Sequence, residues 1–366
     1  MRLLGSIAVA LAALAGCATP EQPRIAVQPK PVMPERQPVQ PITGLALVVR
    51  LLPQGIEDRG GWAEDIHTAI TRLGIAPSAE NICAVVAITE QESGFRSDPP
   101  VPGLAYIAGR ELERRRERAS IPRFVLEVAL ALPSSDGRSY RERLKLASTE
   151  RELSEVFEDF ARRMPVAKTF FAEQNPVRTG GPMQVGIAFA ETHAASHPYP
   201  YSRSGSIRDE VFKRRGGLYF GIAHLLHYPA PYDDPLYRFA DYNAGRFASR
   251  NAAFQQAVSE ASGVALALDG DLLSLTGQAT LRLAGRLKLS PAEIRRDLAL
   301  GATARFERTA LYAAVFALAD RAHGKPVPRA VVPEIALSTA KTTRKLTTDG
   351  FAKRTAARYL ACLGRL

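Results

Sequence analysis

A mainly α-helical fold is predicted for this 366-residue chain by three observations. Hydrophobic residues make up 46% of it, enough to bury a large core. Period-two alternation, the mark of half-buried strands, is scarce. The clearest apolar run has Ile82, Val85, Val86 and Thr89 on one helical face, at spacings of three and four, behind a Pro77-Ser78 start.

The N-terminus is an address. Arg2 gives a short positive region, Leu3 to Leu14 an apolar one, and Leu14-Ala15-Gly16-Cys17 a small-residue cleavage site. The run is too short to span a membrane and no stop-transfer pattern follows, so it reads as a secretory signal over residues 1–17. Its last four residues resemble a bacterial lipobox. That resemblance implies cleavage before Cys17 and a lipid on its sulfur; a plain signal peptide that contains a cysteine is the alternative. Ala18 is not the aspartate linked with inner-membrane retention, so the expected place is the outer membrane, facing the periplasm. Residues 18–43 carry prolines at 20, 23, 29, 31, 34, 38 and 41. They read as an extended tether, about 80 Å long at most.

Residues 44–366 hold the folded part. Ser78 is the expected N-cap of the first motif-bearing helix, and Glu80 suits its first turn. The apolar face continues to Glu92 and Ser93, where Gly94 ends the helix. A carboxyl on the apolar side of a helix C-terminus meets desolvation and the negative dipole end, both of which favour a protonated acid. Glu90 lies about 200° around the helix and reads as a solvated neighbour.

Two further strings follow. Gly180-Gly181-Pro182-Met183-Gln184 offers glycines for close backbone approach and an amide with both donor and acceptor. Asp241-Tyr242-Asn243-Ala244-Gly245 offers a phenol and a second amide. Between them, Arg214 to Leu226 reads as a glycine-containing helix with His224; this residue and His227 are expected to be structural or surface groups, because no carboxylate or cysteine completes a ligand set.

Gln91-Glu92-Ser93-Gly94-Phe95, Gly181-Pro182-Met183-Gln184 and Asp241-Tyr242-Asn243, in that order, resemble the signature of the soluble-lytic-transglycosylase and goose-type-lysozyme branch of the lysozyme superfamily. The match covers roughly residues 77–97 and 180–254. The resemblance implies a lysozyme-like catalytic domain over 44–270 and cleavage of peptidoglycan between N-acetylmuramic acid and N-acetylglucosamine. It implies Glu92 as the catalytic acid, with Ser93, Met183, Gln184, Tyr242 and Asn243 as substrate-binding or supporting residues. It implies neither metal nor cofactor. Met183 alone reads more simply as a core gap-filler. Pro182 replaces the family's leucine and removes a backbone N–H. Lytic transglycosylation, lysozyme-type hydrolysis and a non-catalytic peptidoglycan-binding or envelope-scaffold role are all compatible with these strings.

About 80 residues separate the first two strings where the resembled proteins have a short loop. This insertion, residues 98–178, is expected to hold helices over Gly109 to Arg118, Ile121 to Leu132 and Ser139 to Met164, with a start signal at Ser148-Thr149-Glu150-Arg151-Glu152. It could cap a substrate cleft or present a docking surface. Residues 271–366 are a helical extension, with helices expected over Leu281 to Leu287, Pro291 to Leu300, Thr303 to Ala322 and Arg344 to Leu363.

The formal charge of +11 is uneven: Thr276 to Leu366 holds 17 Lys/Arg and 6 Asp/Glu. A basic face of this kind suits peptidoglycan carboxylates or an anionic envelope surface, or aids solubility. A secreted location argues against nucleic acid. With Cys17 lipidated, Cys83 and Cys362 remain. A bridge between them would pin the C-terminus to the helix carrying Glu92; two buried thiols are the alternative.

Overall fold

The computed structural model describes residues 42–163, 175–337 and 346–366. The signal segment with Cys17, the tether up to residue 41, Met164, and residues 344 and 345 lie outside them. The described chain is mainly α-helical, with two short antiparallel strand pairs.

Helices α1 (Gly44–Leu51) and α2 (Arg59–Arg72) open the domain. Helix α3 (Ala79–Glu92) starts where expected: the Ser78 hydroxyl accepts from the Asn81 N–H at 3.3 Å. Its burial exceeds the expectation of one apolar face, for every residue from Ile82 to Thr89 is buried. A helix that is apolar all round must be enclosed on all sides. Here α1 and a C-terminal helix supply much of the enclosure.

The insertion holds α4 (Leu104–Arg118), α5 (Arg123–Ala131), α6 (Tyr140–Leu146) and α7 (Glu150–Arg163). The single helix expected from Ser139 onward is two. Glu152 reaches back to the N–H groups of Ser148 and Thr149, at 2.7 and 3.2 Å, while the Thr149 hydroxyl takes the Glu152 N–H. That reciprocal cap starts a new helix, and Ala147 turns extended before it.

Strands β1 (Thr179–Gly180) and β2 (Val185–Gly186) form a hairpin, with Gly180 opposite Val185. Helices α8 (Ile187–Ser196), α9 (Ile207–Val211), α10 (Arg214–Leu226) and α11 (Pro235–Ala244) follow. Together with α1 to α3 and parts of the insertion they enclose the first core.

Helix α12 (Ala248–Ser262) belongs to a second core with α13 (Leu275–Arg282), α14 (Ala284–Leu287), α15 (Pro291–Leu298) and α16 (Ala310–His323). The helix expected from Thr303 begins later, at Ala310, because the Thr309 hydroxyl caps it. Arg250 is fully buried in this core, its guanidinium 4.4 Å from the Phe247 ring and bonded to the Thr303 carbonyl and Glu307.

A pair of strands, β3 (Ala336–Leu337) and β4 (Leu346–Thr347), leads into α17 (Thr348–Leu363). The extension therefore serves both cores. While α13 to α16 build the second, Phe351, Ala352, Tyr359 and Cys362 of α17 return to the first. Cys83 and Cys362 form a disulfide that joins α3 to α17. None of the described helices is long and apolar enough to cross a membrane.

Candidate functional site

Helix α3 delivers Glu92 at its last turn, half-buried rather than solvated. Ser93 follows as the C-cap, and its hydroxyl donates to the Thr89 carbonyl at 3.0 Å, tying down that turn. Gly94 and then Phe95 adopt left-handed backbone, φ 58° and 61°. For phenylalanine this conformation is uncommon and must be held by its surroundings. The Phe95 ring is buried edge-on against Trp62, centroids 5.2 Å apart.

The hairpin supplies the second string. Gly181, at φ 72°, makes the turn possible, and a side chain there would strike the Val211 carbonyl. Met183 is fully buried. Its sulfur occupies the space that a Cβ on Gly221 of α10 would need, since such a carbon would stand 2.6 Å from it. Met183 is thus a packing residue, and its main-chain carbonyl rather than its side chain faces the site.

Gln184 differs from the expectation of a free substrate-facing amide. Its Nε2 donates to the Gly181 carbonyl and its Oε1 accepts from the Thr179 hydroxyl, both at 3.3 Å. At φ 50° it is a second non-glycine residue held in the left-handed region beside the site.

The third string arrives on α11. The Tyr242 hydroxyl donates to the Met183 carbonyl at 2.6 Å. Burial pushes this phenol well above its ordinary pKa, and the nearby Glu92 charge pushes it further. The three strings therefore meet: Glu92, the Met183 backbone and Tyr242 share one neighbourhood. Asn243 stands slightly apart, its Oδ1 accepting from the Thr348 hydroxyl at 3.0 Å. It holds the start of α17 rather than the acid.

Asp241 is wholly engaged in the fold. It is fully buried and accepts the N–H groups of Phe247 and Ser249 at 2.8 and 2.7 Å, plus the hydroxyls of Tyr228 and Tyr232. It fastens the start of α12 to α11. Burial raises its pKa to about 6 against the pull of those donors. Glu90 likewise differs from a free surface residue, lying 3.7 Å from Arg358 of α17.

His224 is the residue that the sequence underrated. Its ring meets Tyr242 edge-on, centroids 5.0 Å apart. Its Nδ1 is buried without a partner. Burial, with Arg246 behind it, lowers its pKa to about 4, so the ring is neutral at ordinary pH. The Phe189 ring touches both His224 and His193, and His193 stacks on His197 at 4.3 Å and meets His227 at 5.7 Å. Among the described residues no group of three or more His, Cys, Asp or Glu could hold a metal ion.

A cavity of about 820 Å³ opens beside the loop that follows Glu92, lined by Trp62, Phe95, Arg96, Ser97, Asp98, Lys213 and their neighbours. A second, of about 290 Å³, lies between α7 and α9 and shares Lys213. The ion pair Asp98–Arg151, at 2.9 Å, joins the linings of the two. The insertion thus gives Asp98 to the first lining and α7 to the second, while Glu92, Met183 and Tyr242 line neither.

A family described as "Protein of unknown function (DUF1615)" matches residues 55–365. The "Uncharacterized protein YaiW" of Escherichia coli (strain K12) is 51% identical over 327 residues, covering 87% of this chain and 89% of that one. No solved structure matches.

Proposed function

The chain belongs to the DUF1615 family, and from its own site we propose that it cleaves peptidoglycan glycan strands between N-acetylmuramic acid and N-acetylglucosamine. Glu92 gives its proton to the glycosidic oxygen as the bond breaks, and the substrate's 2-acetamido group supports the positive sugar. The resulting carboxylate takes the proton of the C6 hydroxyl, whose oxygen closes a 1,6-anhydro ring. No water is consumed. The observation that carries this reading is the meeting of Glu92, the Met183 carbonyl and Tyr242 from three distant strings. The cavity that starts at Phe95, three residues after Glu92, offers room for a polymer. Residues 1–43 support a lipid anchor on Cys17 that keeps the enzyme at the outer membrane within reach of the cell wall.

Mass spectrometry of digested sacculi tests the reaction. Wild type is expected to release anhydro-ended muropeptides, and Glu92→Gln to lose activity by roughly a hundredfold or more. Reducible ends in their place would assign hydrolysis. Equal activity in both proteins would remove Glu92 from the role of acid. A second reading, a peptidoglycan-binding protein without catalysis, is favoured by the Gln184 amide being engaged in its own hairpin. It predicts co-sedimentation with sacculi and no released product from either protein.

A further inference from the structure

Helix α5 is apolar on two opposite sides. Inward, Leu126 and Leu130 face Leu112, Tyr140 and Phe157 in the insertion's own core. Outward, Phe124 and Val128 are 69% and 62% exposed, and Val125 and Leu132 extend the same stripe. Their spacing of one, three and four residues puts them on one face. A helix apolar all round is normally enclosed, and a contiguous exposed patch of this kind marks an interaction surface.

The charges at its edge select the partner. The turn from α4 to α5 carries Arg118 and Arg123, whose side chains are 71% and 78% exposed. The one carboxylate on α5, Glu127, is engaged by Arg141 and lies 4.0 Å from Arg123. Between residues 104 and 132 six arginines stand against four glutamates. Large apolar side chains with guanidinium groups at the rim match a bilayer interface, where the rings enter the acyl boundary and the arginines meet phosphate. We infer that the outward face of α5 lies on a phospholipid surface bearing anionic headgroups. The anchor proposed on Cys17 would only raise the local concentration of that surface; the inference rests on α5, and its test reads α5 directly.

The test uses the full chain with Cys17→Ser and Val128→Cys, so that position 128 is the free thiol while Cys83 and Cys362 stay bridged. An environment-sensitive fluorophore on that thiol is followed as vesicles are added, either phosphatidylcholine alone or phosphatidylcholine with phosphatidylglycerol. The expected result is a blue shift with the anionic vesicles that salt weakens, with apparent affinity falling roughly tenfold in Phe124→Ser. Phe124 and Val128 are exposed, so these changes leave the core intact. An unshifted spectrum with both vesicle types overturns the inference. So does an equal shift with both, or a shift that grows with protein concentration alone, which would identify a second copy of the chain as the partner.

Discussion

The Tyr242 hydroxyl gives its one proton to the Met183 carbonyl, across 2.6 Å and 59 residues of sequence. What the phenol can then offer Glu92 is lone pairs. A phenol free to donate could steady an ionised acid; the Met183 carbonyl takes the proton which that role needs.

Tyr242→Phe is therefore expected to separate two effects. Losing the hydroxyl leaves the Met183 carbonyl without this donor, a stability loss of about 1–2 kcal/mol in a denaturant titration. Glycan-strand release should fall by a larger factor than stability explains, on the order of tenfold to a hundredfold. An activity loss no greater than that of a hairpin variant with the same stability would reduce Tyr242 to a packing residue.

Gly221→Ala tests the hairpin's seat. The added carbon would stand 2.6 Å from both Cβ and Sδ of Met183. Since the hairpin backbone carries the carbonyl that Tyr242 uses, the strain reaches the site. Overpacking of this kind costs about 1–3 kcal/mol. The unfolding midpoint and the activity should fall together, and Met183→Ala in the same chain should relieve part of the loss. A neutral Gly221→Ala would show that α10 and the hairpin are free to separate.

Much of this was legible in the chain. The Ser78 cap, the stop at Gly94 and the glycine-rich turn before Met183 are local chemistry, and local chemistry is written in adjacent residues. The start of α7 is visible in Thr149 and Glu152, whereas the extended Ala147 before it carries no local signal of a break. What adjacent residues cannot show is which side chain a distant one will occupy. Gln184 looked free because Thr179 and the Gly181 carbonyl, its partners, carry no signal of pairing. His224 looked peripheral because its neighbour Tyr242 lies on another helix. The strands are two residues each, too short for any alternation to mark them. For the return of α17 to α3, the pair of cysteines was the one long-range clue.

That bridge closes a loop over 279 residues of sequence separation, so its removal should act strongly on the unfolded state. Chain-entropy reasoning gives about 5.6 kcal/mol as an upper figure, and native disulfides commonly contribute roughly 2–5 kcal/mol. Cys83→Ala with Cys362→Ala is expected to lower the urea midpoint accordingly. Reductant should lower the wild type toward the same value and leave the double variant unchanged. Because α17 also binds Asn243 through Thr348, activity should decline before global unfolding. Coincident loss of both would mean that α17 and the site unfold as one unit.

The buried titratable groups predict how stability depends on pH, with opposing signs. His193 and His224 have native pKa values lowered to about 4, in each case chiefly by burial, against an ordinary value of 6.5. The unfolded chain takes up their protons below pH 6.5 while the native chain refuses them until about 4. Their contribution is whole above pH 6.5 and is lost as the pH falls through that window. Asp241 runs the other way. Its native pKa of about 6 exceeds the ordinary 3.8, so the native chain binds its proton first and gains stability as the pH falls from 6 toward 4. Each histidine accounts for roughly 1–2 kcal/mol at pH 5 and Asp241 for about 1 kcal/mol, so two against one leaves a net loss on the order of 1–3 kcal/mol from pH 7 to pH 5. Urea titrations at the two values measure it. His224→Asn should flatten the difference by removing one of the two losses, whereas Asp241→Asn should steepen it by removing the gain, besides weakening the start of α12. If His224→Asn left the slope unchanged, the imidazole would not be held neutral beside Tyr242, and the packing that brings Glu92 and the phenol together would differ from that described.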